Sequence, residues 1–160
     1  MINSFKGEYE WLSNFWRILI IYDSIRYASV EHFYQAMKFL ERELRILIAS
    51  QQYPGQAKRK AHELKHLVRP NWKEISLVVM EYGLRCKFGN HLLAAKLILT
   101  HPHYLVEGNK WHDNFFGDCY CQRCVNIKGQ NFLGKLTMKL RQELVEPPKN
   151  GAIVIPDWNF

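Results

Sequence analysis

The chain has 160 residues, a formal charge of +7, and 48% hydrophobic and 14% aromatic content. That composition excludes a disordered protein and suits one core of ordinary size. The surplus of Lys and Arg favours anionic partners (nucleotides, phosphorylated sugars or nucleic acid) without choosing among them.

Met1 to Glu8 lacks a basic stretch followed by an apolar one, so no secretory leader is expected. Ile18 to Tyr22, the longest apolar run, is too short to cross a bilayer. It is β-rich, Asp23-Ser24 is a turn, and Ile25 to Ser29 returns as a second strand, which predicts a hairpin. Ser29 with Glu31 close behind predicts a helix start, and the helix is expected to run from Val30 to about Ala49. Pro54-Gly55 breaks the next stretch, and Gln56 to Leu67 reads as helical. Asn71 opens a helix towards Lys87, and Leu92 to Thr100 forms another, stopped by Pro102. Tyr104 to Glu107 reads as a strand, Trp111 to Gln130 as a structured loop, and Asn131 to Leu144 as a final helix ended by Pro147-Pro148. Ala152 to Ile155 suggests a short strand in the tail. The expected fold class is α+β: a single, predominantly helical domain over residues 1–148, with a small N-terminal β-hairpin, short additional strands and a tail over 149–160.

The run Glu31-His32-Phe33-Tyr34-Gln35-Ala36-Met37-Lys38 carries the most chemistry. On a helix, Glu31, Tyr34, Gln35 and Lys38 share one face, while Phe33, Met37 and Leu40 turn to a core. A carboxylate can serve as acid or base, and a partly desolvated lysine can attack an aldehyde carbon. A solvated charged helix face is the plain alternative.

Two further motifs are weaker. His62-Glu63-Leu64-Lys65-His66 matches H-E-x-x-H, but Lys58, Arg59, Lys60 and Lys65 would repel a metal and no third ligand is evident, so an exposed basic helix is preferred. Cys119, Cys121 and Cys124 form C-x-C-x-x-C. Three thiolates could bind zinc with Cys86, His112 or Asp118 as the fourth ligand, but the spacing is unlike a standard finger, so reduced, partly buried thiols are preferred and no metal or cofactor is expected. The crowding of three of the four cysteines does not suit a secreted disulfide framework, so a cytoplasmic protein with no membrane partner is expected. Rings such as Trp11, Phe15 and Phe116 could stack on bases, although core filling is the plain reading for most of them.

Leu12-Ser13-Asn14-Phe15, E-H-x-Y-Q-x-x-K over Glu31–Lys38, Lys87-Phe88-Gly89-Asn90, Asp113-Asn114-Phe115-Phe116-Gly117 and G-x-N-x-L-G over Gly129–Gly134 stand in the order seen in the YbiA-like, or NADAR, family. The chain resembles that family over about residues 5 to 143. The resemblance implies a compact, largely helical α+β fold and an N-glycosidase-type hydrolase that cleaves a ribose C1–N bond. One branch of the family removes ADP-ribose from guanine in nucleic acid, the reading preferred here for its fit to the net charge. Another acts on phosphorylated ribosylamino-pyrimidine intermediates of riboflavin biosynthesis. A non-catalytic module that holds ADP-ribose or NAD is the third reading. The expected partner is accordingly ADP-ribosylated nucleic acid or a phosphorylated ribosyl-amine; the oligomeric state is left open.

On this resemblance Glu31, Lys38 and Asp113 are the candidate catalytic residues, with Asp113 orienting a water or a ribose hydroxyl. Asn14, Tyr34, Gln35 and Asn131 are candidates for hydrogen bonds to ribose or base, with Phe15, His32 and Gly117 also placed at the substrate. Lys87 and Arg141 are candidates for phosphate contacts. Phe116 and Trp11 are candidate stacking surfaces. The family often has Trp where this chain has Phe116, which removes an indole N–H donor and bears on substrate choice.

Overall fold

A computed structural model describes residues 1–146 and 157–160. The expected tail strand at Ala152 to Ile155, the Pro147-Pro148 helix stop and the 148/149 boundary lie outside them. The chain divides into two units: Asn14–Lys87 with residues 157–160, and Met1–Ser13 with the described part of Phe88–Val154. The α+β expectation is met, with helices dominating and the strands short. No helix among the described residues is long and apolar enough to cross a membrane.

The unit built on Asn14–Lys87 begins with the expected hairpin. Strand β1 (Arg17–Tyr22) pairs antiparallel with β2 (Ile25–Ser29), Tyr22 opposite Ile25 and Ile20 opposite Tyr27. Both turn residues, Asp23 and Ser24, take positive φ (48° and 57°), the mirror-image turn whose twist suits two-residue hairpins. Arg42 holds the turn through Asp23 Oδ2 at 2.8 Å. Ser29 then caps helix α1 (Val30–Ala36), its hydroxyl accepting from the His32 N–H.

The long helix expected from Val30 to Ala49 is two helices. α1 stops at Ala36, and α2 spans Arg42–Ala49. The Lys38 carbonyl accepts the Arg69 N–H at 2.8 Å, and the Phe39 carbonyl accepts Arg45 Nε, so neither carbonyl is left to continue the helical ladder. In the break Met37 and Phe39 are both buried while Leu40, expected in the core, is 54% exposed.

Pro54, read as a breaker, instead opens α3 (Pro54–Glu63), where its missing N–H costs nothing. A single 3-10 turn, Lys65–Leu67, follows, and α4 runs Trp72–Phe88 as expected. Helix α1 packs against α2 and α3. Phe33 lies between Tyr22, Tyr27 and Tyr82, and Phe160 reaches the same ring cluster, its N–H donating to the Tyr22 hydroxyl.

The other unit contains a 3-10 helix (Gly7–Leu12), α5 (His91–Leu99, capped by Asn90), and α6 (Phe132–Val145). The strand expected at Tyr104 to Glu107 is reduced to one bridge between Leu105 and Ile2. The paired residues lie just beyond it: β3 (Gly108–Asn109) runs parallel to β4 (Asp118–Cys119).

Candidate active site

The polar face of α1 survives the early end of the helix. Gln35 Nε2 donates to Glu31 Oε1 at 2.7 Å, and both side chains are buried. Lys38 lies one tight turn beyond, its N–H reaching the Gln35 carbonyl. Its ammonium stands 5.7 Å from the Tyr34 ring centre and 5.9 Å from that of Trp72. Burial pulls the Lys38 pKa below its ordinary 10.5; Glu31 opposes that shift and Lys58 adds to it. An acid and an amine that sense each other's charge are thus set on one short segment.

Lys38 and Gln35 form one wall of an open basin of about 430 Å³. Lys58, Arg59, His62 and Lys65 line it from α3 and the turn after it, with Gly55, Ala61 and Val68 between. These cations belong to the stretch expected to be an exposed basic helix. They are indeed exposed, yet they face a cavity large enough for a phosphorylated sugar. The H-E-x-x-H motif is broken, because α3 ends at Glu63 and His66 falls in the 3-10 turn.

The other predicted residues of this unit divide. Asn14 accepts the Glu31 N–H on its carbonyl and donates through Nδ2 to Met80 Sδ at 3.2 Å. Asn14 Oδ1 and Gln35 Oε1 are buried without a hydrogen-bond partner, and of the two residues only Gln35 lines the basin. Phe15 is 46% exposed and its ring lies beside Gly55. Tyr34 is buried, edge-on to Trp72. Two assignments are corrected. His32 spends both ring nitrogens inside the protein, on Ser29 Oγ and the Gln51 carbonyl, and burial lowers its pKa below 6.5, so it pins α1 rather than a substrate. Lys87 is completely buried in α4, where it offers no open surface to a phosphate.

In the other unit, the predicted residues are occupied in holding the fold. Asp113 Oδ1 accepts the Phe115 and Phe116 N–H groups, closing an Asx turn, so that oxygen is not free to orient a water. Phe116 is partly exposed and meets Phe115 edge-on. Gly117 is fixed by crowding, since a Cβ there would lie 2.4 Å from the Glu107 carbonyl oxygen. Asn131 uses both ends of its amide, Nδ2 to the Leu105 carbonyl and Oδ1 from the Glu107 N–H. Arg141 Nη1 reaches the Thr100 carbonyl, Thr100 Oγ1 and the His103 carbonyl, so the assignment to phosphate is corrected to a clamp on the end of α5. Trp11 is buried against Phe88 and is no stacking surface. Cys119, Cys121 and Cys124 converge on His112 rather than on Cys86 or Asp118.

The profile of the NADAR domain family matches residues 3–145. The chain belongs to this family. It is 35% identical over 142 residues to the N-glycosidase YbiA of Escherichia coli (strain K12), covering 88% of this chain and 85% of that protein. The Shigella boydii N-glycosidase YbiA is 36% identical over the same shares. A riboflavin biosynthesis protein of Vibrio vulnificus is 33% identical over 136 residues, which is 84% of this chain but 35% of the longer protein. The NMR structure of E. coli YbiA aligns with a TM-score of 0.76 at 34% identity, covering 91% of this chain and 83% of that one. Within this NADAR chain, Gln35 and Lys38 of the E-H-x-Y-Q-x-x-K run border the basin, and Asn131 of the G-x-N-x-L-G run stitches the backbone.

Proposed function

We propose that the basin beside Glu31 and Lys38 is the active site of an N-glycosyl hydrolase that removes ADP-ribose from guanine bases of nucleic acid. The chain's membership of the NADAR family and its similarity to N-glycosidases over most of its length support the reaction class. The observation that carries the site is Lys38, an amine of depressed basicity lining a cationic basin within the influence of the Glu31 carboxylate.

The chemistry follows from those two groups. When the ribose ring opens, the C1–O4′ bond breaks, O4′ takes a proton, and C1 becomes an iminium carbon bonded to the base nitrogen. The neutral Lys38 amine adds to C1. The base nitrogen then leaves with a proton, and a Schiff base remains on the lysine. Water adds to C1, the amine departs, and the free sugar closes. Glu31 stabilises the positive charge at C1 and shuttles the protons. Gln35, held by Glu31, turns its unpaired carbonyl to a sugar hydroxyl or base amine. Lys58, Arg59 and Lys65 meet the phosphates.

The exposed cations of the basin and the +7 charge favour a nucleic-acid substrate. The relatives named for riboflavin biosynthesis favour a second reading, a phosphorylated ribosylamino-pyrimidine. Incubation with an ADP-ribosylated guanine oligonucleotide and with a ribosylamino-pyrimidine phosphate in parallel, read by mass spectrometry of released sugar, separates them. Release from the oligonucleotide is expected. Turnover of the small metabolite alone transfers the assignment to the second reading. Borohydride should trap a sugar on Lys38, and undiminished turnover in Lys38→Met would remove the Schiff-base step.

A further inference from the structure

We propose that His112, Cys119, Cys121 and Cys124 form a structural zinc site. Their ligand atoms all lie within 4.8 Å of one another. His112 Nδ1 is 3.2 Å from Cys121 Sγ and 3.4 Å from Cys124 Sγ. A zinc tetrahedron with bonds of about 2.0 Å to nitrogen and about 2.3 Å to sulfur needs ligand atoms roughly 3.5–3.8 Å apart. The four atoms are thus close to the required spacing, and three sulfurs with one imidazole nitrogen are a donor set zinc prefers.

Three separate pieces of backbone bring the ligands together. Asn109, completely buried, accepts the Trp111 and Asp113 N–H groups on Oδ1 and donates Nδ2 to the Asp113 carbonyl. That loop holds His112 at φ +67°, a left-handed conformation that costs a non-glycine residue energy and aims its ring at the thiols. Strand β4 supplies Cys119, whose N–H is held by Asn114 Oδ1. A tight turn, Cys124 N–H to the Cys121 carbonyl, supplies the other two.

The segment needs such a fastening. Between β3 and α6, regular structure is confined to the two residues of β4, and Tyr120, Val125 and Ile127 are exposed rather than buried. A loop of this length has little apolar burial to offset its ordering entropy. Metal binding supplies that free energy directly. All four cysteines are free thiols, so no disulfide does the work. On loading, each of the three thiols gives its proton to solvent as its sulfur–zinc bond forms, and neutral His112 donates the Nδ1 lone pair. Four protein ligands close the coordination sphere, which makes the site structural and leaves no position for a reactive water.

The test is metal analysis of the full chain expressed in zinc-supplemented medium and purified without chelator. About one zinc per chain is expected by inductively coupled plasma mass spectrometry, and Cys86→Ser should retain it while Cys121→Ser loses most of it. If Cys121→Ser proves insoluble, removal of zinc from the native chain with a strong chelator and reloading with Co²⁺ gives an independent readout. Tetrahedral thiolate–cobalt absorption is expected, and chelation should lower Tm by roughly 10 °C or more. Metal-free protein that takes up neither ion, or mass spectrometry that finds a disulfide among Cys119, Cys121 and Cys124 in protein kept under reducing conditions, overturns the proposal.

Discussion

Two motifs of one family behave in opposite ways. Along Glu31 to Lys38, His32 is fixed, but Gln35 is bonded to Glu31 through its nitrogen while its oxygen is unpaired, and Lys38 stands half-buried with depressed basicity. Along Gly129 to Gly134 the glycines and Asn131 are committed. Asn131 is bonded at both ends of its amide, and a Cβ on Gly134 would lie 2.3 Å from the Leu105 carbonyl oxygen. Buried polar groups left unsatisfied are expensive, so a fold keeps them where a ligand will complete them. Groups already satisfied define the backbone. A recurring residue pattern can therefore leave polar groups open in one place and spend them on the backbone in another.

The sharpest way to break that contrast is to exchange the outcomes. Lys38→Met should lower kcat by at least about 10³-fold, and Glu31→Gln by roughly 10²–10⁴-fold, with unfolding midpoints close to the parent. Single-turnover kinetics and a denaturant titration measure both. On the architectural side, Asn131→Ala should cost about 2–4 kcal/mol of stability, because it orphans the Leu105 carbonyl and the Glu107 N–H. Gly134→Ala should cost about 1–3 kcal/mol by overpacking, measured in urea. Arg141→Met should lose about 2–3 kcal/mol while leaving KM near the parent value. A large rise in KM there would restore its assignment to phosphate.

Smaller effects sharpen the same line. Lys65→Gln should raise KM for an oligonucleotide several-fold and reduce the salt slope of binding by about 1, with kcat nearly unchanged. The pH dependence has a definite sign at each group. Burial sets the Lys38 pKa below its ordinary 10.5, so kcat should climb with pH along a limb centred below that value, and Lys38→Met should abolish the limb. His32 has a folded pKa below its ordinary 6.5, so the unfolded chain binds the proton more readily. Stability is then fully present above 6.5 and falls as pH drops below it, by less in His32→Gln.

The local parts of the fold were legible. Strand-forming runs around Asp23-Ser24 predicted the hairpin, Ser29 predicted the α1 cap, and the extents of α4 and α6 follow from their own residues. What was not legible depends on partners distant in sequence. After the break at Ala36, Arg69 takes the Lys38 carbonyl, and no pattern within residues 30–49 announces that. The site divides along the same line. The Glu31–Gln35 pair follows from helical spacing, whereas the cationic lining contributed by α3 requires knowing that α3 packs on α1. Asp113, Asn131 and Arg141 were drawn to the substrate because their chemistry suits it, but backbone groups far along the chain claim that chemistry first.

The capture of the Lys38 carbonyl by Arg69 has a practical consequence. With its main chain anchored, the lysine presents a short arc of positions to any reagent entering the basin, and the neighbouring cations concentrate anions there. A phosphate-bearing aldehyde such as pyridoxal phosphate should therefore modify this amine ahead of ordinary surface lysines, which gives a covalent handle for mapping the pocket.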